Sequence, residues 1–257
     1  MRALEAGRRR SARRSEARTD LPTAIPGARV HRDVRGGGFR AAVFGVSDGL
    51  VSNVSLVLGT AGAHPGVGVV RLAGLAGLFG GAFSMAAGEF ASMQAQREAL
   101  QHELEVERTE LAERPAAERS ELEHIYMGRG VTPQIASQLA SELMADPEVA
   151  LLTHAREELG IDPDQLGSPV QAATSSFFTF AVGAFVPLVP FLGGTSGTRA
   201  ILLSVLLTGL GSIAVGIALS HFTRRSKVIS ALRMLGFCAV AGAATFGIGS
   251  AIGVAAT

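Results

Sequence analysis

The sequence predicts an all-α membrane protein: five transmembrane helices, with a small helical cytoplasmic domain inserted between helices 2 and 3. Three observations predict it. Apolar residues are concentrated in five stretches, 41–63, 69–92, 170–192, 200–220 and 231–257, each near or above the ~20 residues a helix needs to cross a bilayer core. Residues 93–168, between the second and third stretch, hold 16 of the chain's 22 carboxylates and 6 of its 23 basic residues, a formal charge of −10 in a chain of net charge +1. The same segment is punctuated by prolines set where helices begin.

Residues 1–39 read as a basic tail. Arg2, Arg8, Arg9, Arg10, Arg13, Arg14 and Arg18 open it, and Gly, Pro, Ser and Arg dominate to Gly38, a composition with too little apolar surface to bury. The charged start imitates that of a signal peptide, but no apolar stretch follows at the expected distance. A disordered cytoplasmic tail is expected. Basic tails also bind anionic lipid or nucleic acid, but no nucleic-acid partner is expected here.

Spans 1 and 2 occupy 40–92, and spans 3 to 5 occupy 169–257. With 32 glycines and no tryptophan, these helices should pack closely, because small residues let backbones approach. Basic residues in the loops set the orientation. Arg224, Arg225 and Lys227 follow span 4, with Arg233 close by, whereas 60–68 and 193–199 are Gly-rich and nearly uncharged. An odd number of spans then places the tail, the acidic segment and the 224–227 loop in the cytoplasm and the C-terminus outside. Pro187 and Pro190 should kink span 3 or mark its outer end. Cys238 is the one cysteine. It excludes a disulfide framework and a Cys-based zinc site, and reads as a buried small residue.

Within 93–168 a first helix should continue straight out of span 2 and end before Pro115. Pro115 fits the first turn of a second helix reaching about Met127. Thr132-Pro133 and Asp146-Pro147 each read as N-cap and first residue of a third and a fourth helix, and Gly160 is placed to end the fourth. Leu100, Leu104, Leu111, Leu122, Ile125, Ile135, Leu139, Leu143, Leu151 and Leu152 are the candidate core.

Two groups of residues point to chemistry. In the acidic segment Glu107 and Glu110 share a helix face, with Glu103 extending it. Glu118 and Glu121 repeat that spacing, His124 completes Glu-x-x-His, and Glu158 follows His154 by one turn. Like charges at these spacings destabilise an isolated helix, and a divalent cation between facing helices reverses that cost. Carboxylate oxygens with an imidazole suit iron(II), manganese(II) or zinc. The competing reading is a solvated charged face, with Arg108, Arg114 and Arg119 as partial counter-charges. In the spans, Asp48 and Glu89 are carboxylates where charge is costly, by about 2.5–3.5 kcal/mol on insertion scales, and therefore functional by default. Ser47, Ser52, Asn53 and Ser55 make span 1 polar, and Met85 offers a soft thioether. No Gly-x4-Gly-Lys-Ser/Thr sequence occurs, so nothing indicates ATP-driven pumping. The run Gly193-Gly194-Thr195-Ser196-Gly197 lacks the lysine of a phosphate loop.

Ser47-Asp48-Gly49-Leu50-Val51 followed by Leu56-Val57-Leu58-Gly59, and Gly81-Ala82-Phe83-Ser84-Met85-Ala86-Ala87-Gly88-Glu89, resemble the vacuolar iron transporter family, as a bacterial member. The resemblance covers about Arg40 to the C-terminus. It implies a homodimer of five-span subunits that exports iron(II), often manganese(II), from the cytoplasm in exchange for protons. That is a secondary active transporter and not an enzyme, placed here in a bacterial plasma membrane. The family's path lies at the dimer interface and uses positions that fall on Asp48 and Met85. Its cytoplasmic metal-binding domain, residues 93–168 here, uses glutamates that match Glu107, Glu110, Glu118, Glu121 and Glu158.

Two departures matter. Gly77 stands where the plant-type pattern has a Glu, so Glu89 is expected to take a share of the path. His154-Ala155 stands where that pattern has Met-Met, so His154 replaces a thioether with imidazole and should shift metal preference. No prosthetic group is expected. The cations carried or bound are Fe2+ and Mn2+, with Zn2+ and Co2+ as further candidates, and the partners are protons, membrane lipid and a second subunit. A membrane-anchored di-iron ferroxidase and a metal sensor are the rivals; neither needs a carboxylate deep in span 1.

Overall fold

The structure, a computed structural model, describes residues 37–163, 167–223 and 225–255. The expectations for 1–36 lie outside the described residues. Every regular element among the described residues is helical: α1 (Gly37–Gly62), α2 (Val67–Glu113), α3 (Pro115–Gly128), α4 (Pro133–Leu143), α5 (Pro147–Glu157), α6 (Pro169–Phe185), a 3-10 turn (Val186–Leu188), α7 (Val189–Leu192), α8 (Gly197–Thr223) and α9 (Lys227–Ala255). Helix α1 takes in the last three residues of the expected tail, because a helical backbone continues its hydrogen bonding past the apolar stretch that crosses a bilayer.

Four stretches, Val67–Glu113, Pro169–Leu192, Gly197–Ser220 and Lys227–Gly253, are long and apolar enough to cross a membrane. Helix α1, which carries Ser47, Asp48, Ser52, Asn53 and Ser55, is not among the four found in the described residues. It nonetheless packs chiefly on α6 and α9, and also on α2 and α8, with Leu50, Val54 and Val57 buried. A helix with five polar residues in its middle therefore has the other four long helices as neighbours.

Helix α2 has 47 residues, about 70 Å at ~1.5 Å per residue, more than twice a ~30 Å hydrocarbon core. Val70, Gly74, Leu78 and Ala82 form its buried stripe, at the i, i+4 spacing that places them on one face. Its charged end carries α3 and α5, which also pack on each other and on α4. Leu122 and Leu151 of the expected core are buried, and the other leucines and Ile125 are half-buried. Ile135 is exposed; Ala136 and Ala140 are buried in its stead. The inward face of α4 is one residue on from the one the large side chains indicated, since alanines permit a closer approach. The caps follow the sequence in part. Asp146 accepts from the N–H groups of Glu148 and Val149 at 3.0 and 3.4 Å. Thr132 stands at the N-cap of α4 without a side-chain bond. Gly160 takes a left-handed φ of 65° just beyond α5.

The prolines do not simply kink span 3. They produce the 3-10 turn Val186–Leu188, in which the carbonyl three residues before a proline has no N–H to accept from. Ala184 O and Pro187 O are in that position relative to Pro187 and Pro190. The Asn53 side-chain amide donates to Ala184 O at 2.5 Å, and the Ser204 hydroxyl to Pro187 O at 2.7 Å. Side chains from α1 and α8 thus satisfy carbonyls that water satisfies in a soluble protein.

Helices α1 and α6 meet backbone to backbone. A Cβ on Gly49 would collide with the carbonyl of Phe180, and one on Gly183 with that of Val46. We expect Gly183→Val to cost roughly 1–3 kcal/mol or more, read as a lower melting temperature of the full-length protein in detergent. Gly236→Ala, whose added methyl would meet nothing within 4 Å, should leave the melting temperature unchanged or slightly raised. Equal melting temperatures for the two variants would refute the close crossing.

Candidate metal centre

Three helices bring four side chains together. Glu107 comes from the charged end of α2, Glu118 from the first turn of α3, His154 from α5, and Glu158 from its C-cap. Their ligand atoms lie within 4.8 Å of one another. Ligands at about 2.1 Å on opposite sides of one cation are about 4.2 Å apart, so a small contraction closes a single coordination sphere. His154 is 0% exposed, Glu107 3% and Glu118 6%, while Glu158 is exposed and leaves the cluster open on its side.

His154 Nδ1 faces Glu107 Oε1 at 3.2 Å, Glu158 Oε2 at 3.3 Å and Glu118 Oε2 at 3.9 Å. Only the Glu158 contact has hydrogen-bond geometry, so Glu107 Oε1 is buried without a donor. The other imidazole nitrogen, Nε2, is also buried without a partner. One ring N–H cannot serve three carboxylates, whereas a cation at their centre serves all of them. Burial pushes the Glu107 carboxyl up from 4.5 to about 7, with His154 opposing the rise and Glu158, Glu118 and Glu110 adding to it. Burial also raises Glu118, followed by repulsion from Glu121, against the lowering effect of His154. The cluster thus holds more negative charge than its surroundings can solvate.

The neighbouring arginines are engaged on the outer surface: Arg108 with Glu105 at 2.7 Å, Arg119 with Glu123 at 3.4 Å, and Arg129 with Glu157. Glu110 is half-buried and Glu121 exposed. Both act on the cluster as nearby charges and lie outside its set of four. Glu103 is exposed too. His124, read from sequence as completing Glu-x-x-His, is exposed, with Nδ1 2.6 Å from the carbonyl of Ser120. A carbonyl only accepts, so that nitrogen carries the proton and is no ligand there.

The apolar helices hold a second candidate site. A cavity of about 290 Å³ is lined by Asp48, Ser52 and Asn53 of α1, by Gly77, Ser84 and Met85 of α2, and by Phe180 of α6. Ser52 donates to Asp48 at 2.9 Å. Glu89, one turn beyond Met85, is half-buried and does not line this cavity.

A sequence profile of the VIT family matches residues 39–250. The chain belongs to the VIT family. A vacuolar iron transporter of Acanthamoeba castellanii is 36% identical over 240 residues, covering 89% of this chain and 84% of that protein. Vacuolar iron transporter 1 of Eucalyptus grandis is 29% identical over 213 residues, covering 83% and 86%. Vacuolar iron transporter 1 of Arabidopsis thaliana is 29% identical over 207 residues, covering 80% and 83%. The VIT match therefore takes in both the four-residue cluster and the Asp48–Met85 cavity.

The raised Glu107 predicts a pH dependence. The metal-free folded protein holds a proton that the unfolded chain releases near pH 4.5. The stability this proton contributes is complete below about pH 4.5 and is lost as pH rises through about 7. A metal bound there would take the place of that proton. Apparent Mn2+ affinity of the full-length protein should weaken by about tenfold per pH unit on acidification below about pH 7. Calorimetric titration at several pH values checks this; a flat profile between about pH 5 and about pH 8 would remove Glu107 from the ligand set.

Proposed function

We propose that this protein carries a divalent transition metal, iron(II) or manganese(II), across a membrane and out of the cytoplasm in exchange for protons. The observation that carries this reading is one helix bearing two cation-suited sites, Met85 of the Asp48 cavity and Glu107 of the buried cluster. Membership of the VIT family, and the naming of relatives as vacuolar iron transporters, support metal transport over the two rivals. A di-iron ferroxidase has little support, since His124 bonds its own helix and the four-residue cluster contains a single imidazole.

In this reading α1 is the fifth span. Its place among α2, α6, α8 and α9 supports that count, and an odd count agrees with the loop charges. Residues 93–168 are the cytoplasmic capture module. There Glu107, Glu118, Glu158 and His154 strip a cation of water, with Glu110 and Glu121 holding further cations nearby. The cation then passes to Asp48 and Met85, and protonation of Asp48 releases it. Glu89 stands at the entrance. A homodimer in a plasma membrane, with the N-terminus inside and the C-terminus outside, completes the proposal.

Asp48→Asn keeps shape and removes charge. We expect it to lower Mn2+ flux into proteoliposomes by about 100-fold, the equivalent of one uncompensated charge in a span, with unchanged monodisperse elution in detergent. Normal flux through the well-folded variant would sink the transport mechanism. Reporter fusions are expected to place the N-terminus, the 93–168 segment and Arg225–Lys227 on one side and the C-terminus on the other. A C-terminus on the same side would remove α1 from the spans.

A further inference from the structure

Asn53 is 1% exposed, and its side-chain amide nitrogen donates to Ala184 O at 2.5 Å. That contact settles which way the amide faces, because a backbone carbonyl can only accept. The oxygen therefore points the other way, toward α2. There Oδ1 is buried without a donor, and a Cβ on Gly77 would lie 2.7 Å from it. Asn53 and Gly77 both line the cavity that holds Asp48 and Met85.

A buried acceptor that lacks a donor is uncommon and unfavourable. Rotation cannot relieve it here, since turning the amide would break the bond to Ala184 and set two oxygens against each other. Such a fixed oxygen fits a hydrogen-bond donor or a cation. The cavity already carries one carboxylate, Asp48, with the hydroxyls of Ser52 and Ser84 and the Met85 thioether. An amide oxygen completes a set with one charge and several neutral donors. Hard oxygens favour manganese(II), and a thioether favours softer ions.

We propose that Asn53 Oδ1 is a cation ligand of the Asp48–Met85 cavity, oriented by the Asn53–Ala184 bond and given room by Gly77. This rests on the reading of that cavity as the path for metal. Asn53 then determines specificity, favouring harder cations over those that Met85 alone would select.

The test uses full-length protein carrying Glu107→Gln and Glu118→Gln, which silences the capture cluster, with equilibrium binding of Mn2+ and of the softer Cd2+ in detergent. Adding Asn53→Ala should weaken Mn2+ binding by about tenfold or more and Cd2+ binding much less. Gly77→Ala keeps the Ala184 bond but sets a methyl against that oxygen and against Leu56, and should likewise weaken Mn2+ binding more than Cd2+ binding. Melting temperature separates these effects from loss of fold. Equal weakening for both metals, unchanged Mn2+ binding, or no binding in the double-Gln background would each overturn the proposal. Flux in proteoliposomes is read separately. Selective Mn2+ loss in the binding assay without wild-type flux leaves the ligand assignment standing and sinks the transport reading.

Discussion

Helices α1 and α6 cross with Gly49 against the carbonyl of Phe180 and Gly183 against that of Val46, so near that neither position admits a side chain. The other features at membrane level follow from this crossing. It brings Asn53 within reach of Ala184 O, where the 3-10 turn leaves a carbonyl unserved, and it presents the polar residues of α1 to the cavity beside α2. Without water, the backbone defect in α6 persists only because another helix supplies the donor. A helix as polar as α1 is tolerated because the other long helices surround it. The two irregularities stabilise each other.

The cluster outside the apolar region depends on a different balance. Its carboxylates are buried by α5 and the end of α2, not by a deep core, and the arginines that would neutralise them are held on the outer surface. Burial without neutralisation raises Glu107 and Glu118 together. Such a cluster is unfavourable with all its carboxylates ionised and unneutralised, so its oxygens favour a proton or another cation.

Much of this was legible in the sequence because helix punctuation is local. Pro115, Pro133 and Pro147 each stand at the first position of their helices, and α2 ends where Pro115 predicts. The charge of residues 93–168 drew attention to their carboxylates, four-residue spacing placed His154 one turn from Glu158, and the two are in contact. What was not legible depends on contacts between distant elements. Spacing on one helix could not tell that Glu107 and Glu118 point inward while Glu110 and Glu121 stay at the margin, nor that His124 turns to its own backbone. The burial of Ala136 in place of Ile135 depends on how closely α3 and α4 approach. Asn53 was visible as one polar residue among several in α1. Its partner lies 131 positions away, and only the packed fold shows that one end of its amide is engaged and the other is not.

The continuity of α2 has a mechanical and an electrostatic consequence. Met85 and Glu107 sit on one unbroken helix, 22 residues and so about 33 Å apart along its axis at ~1.5 Å per residue. That is roughly four Debye lengths at physiological ionic strength, so the part of the field from Glu107 that runs through water is screened over that distance. A stiff rod does transmit tilt and rotation over that distance. The attitude of the rod therefore links the geometry of its charged end to that of the Asp48–Met85 cavity.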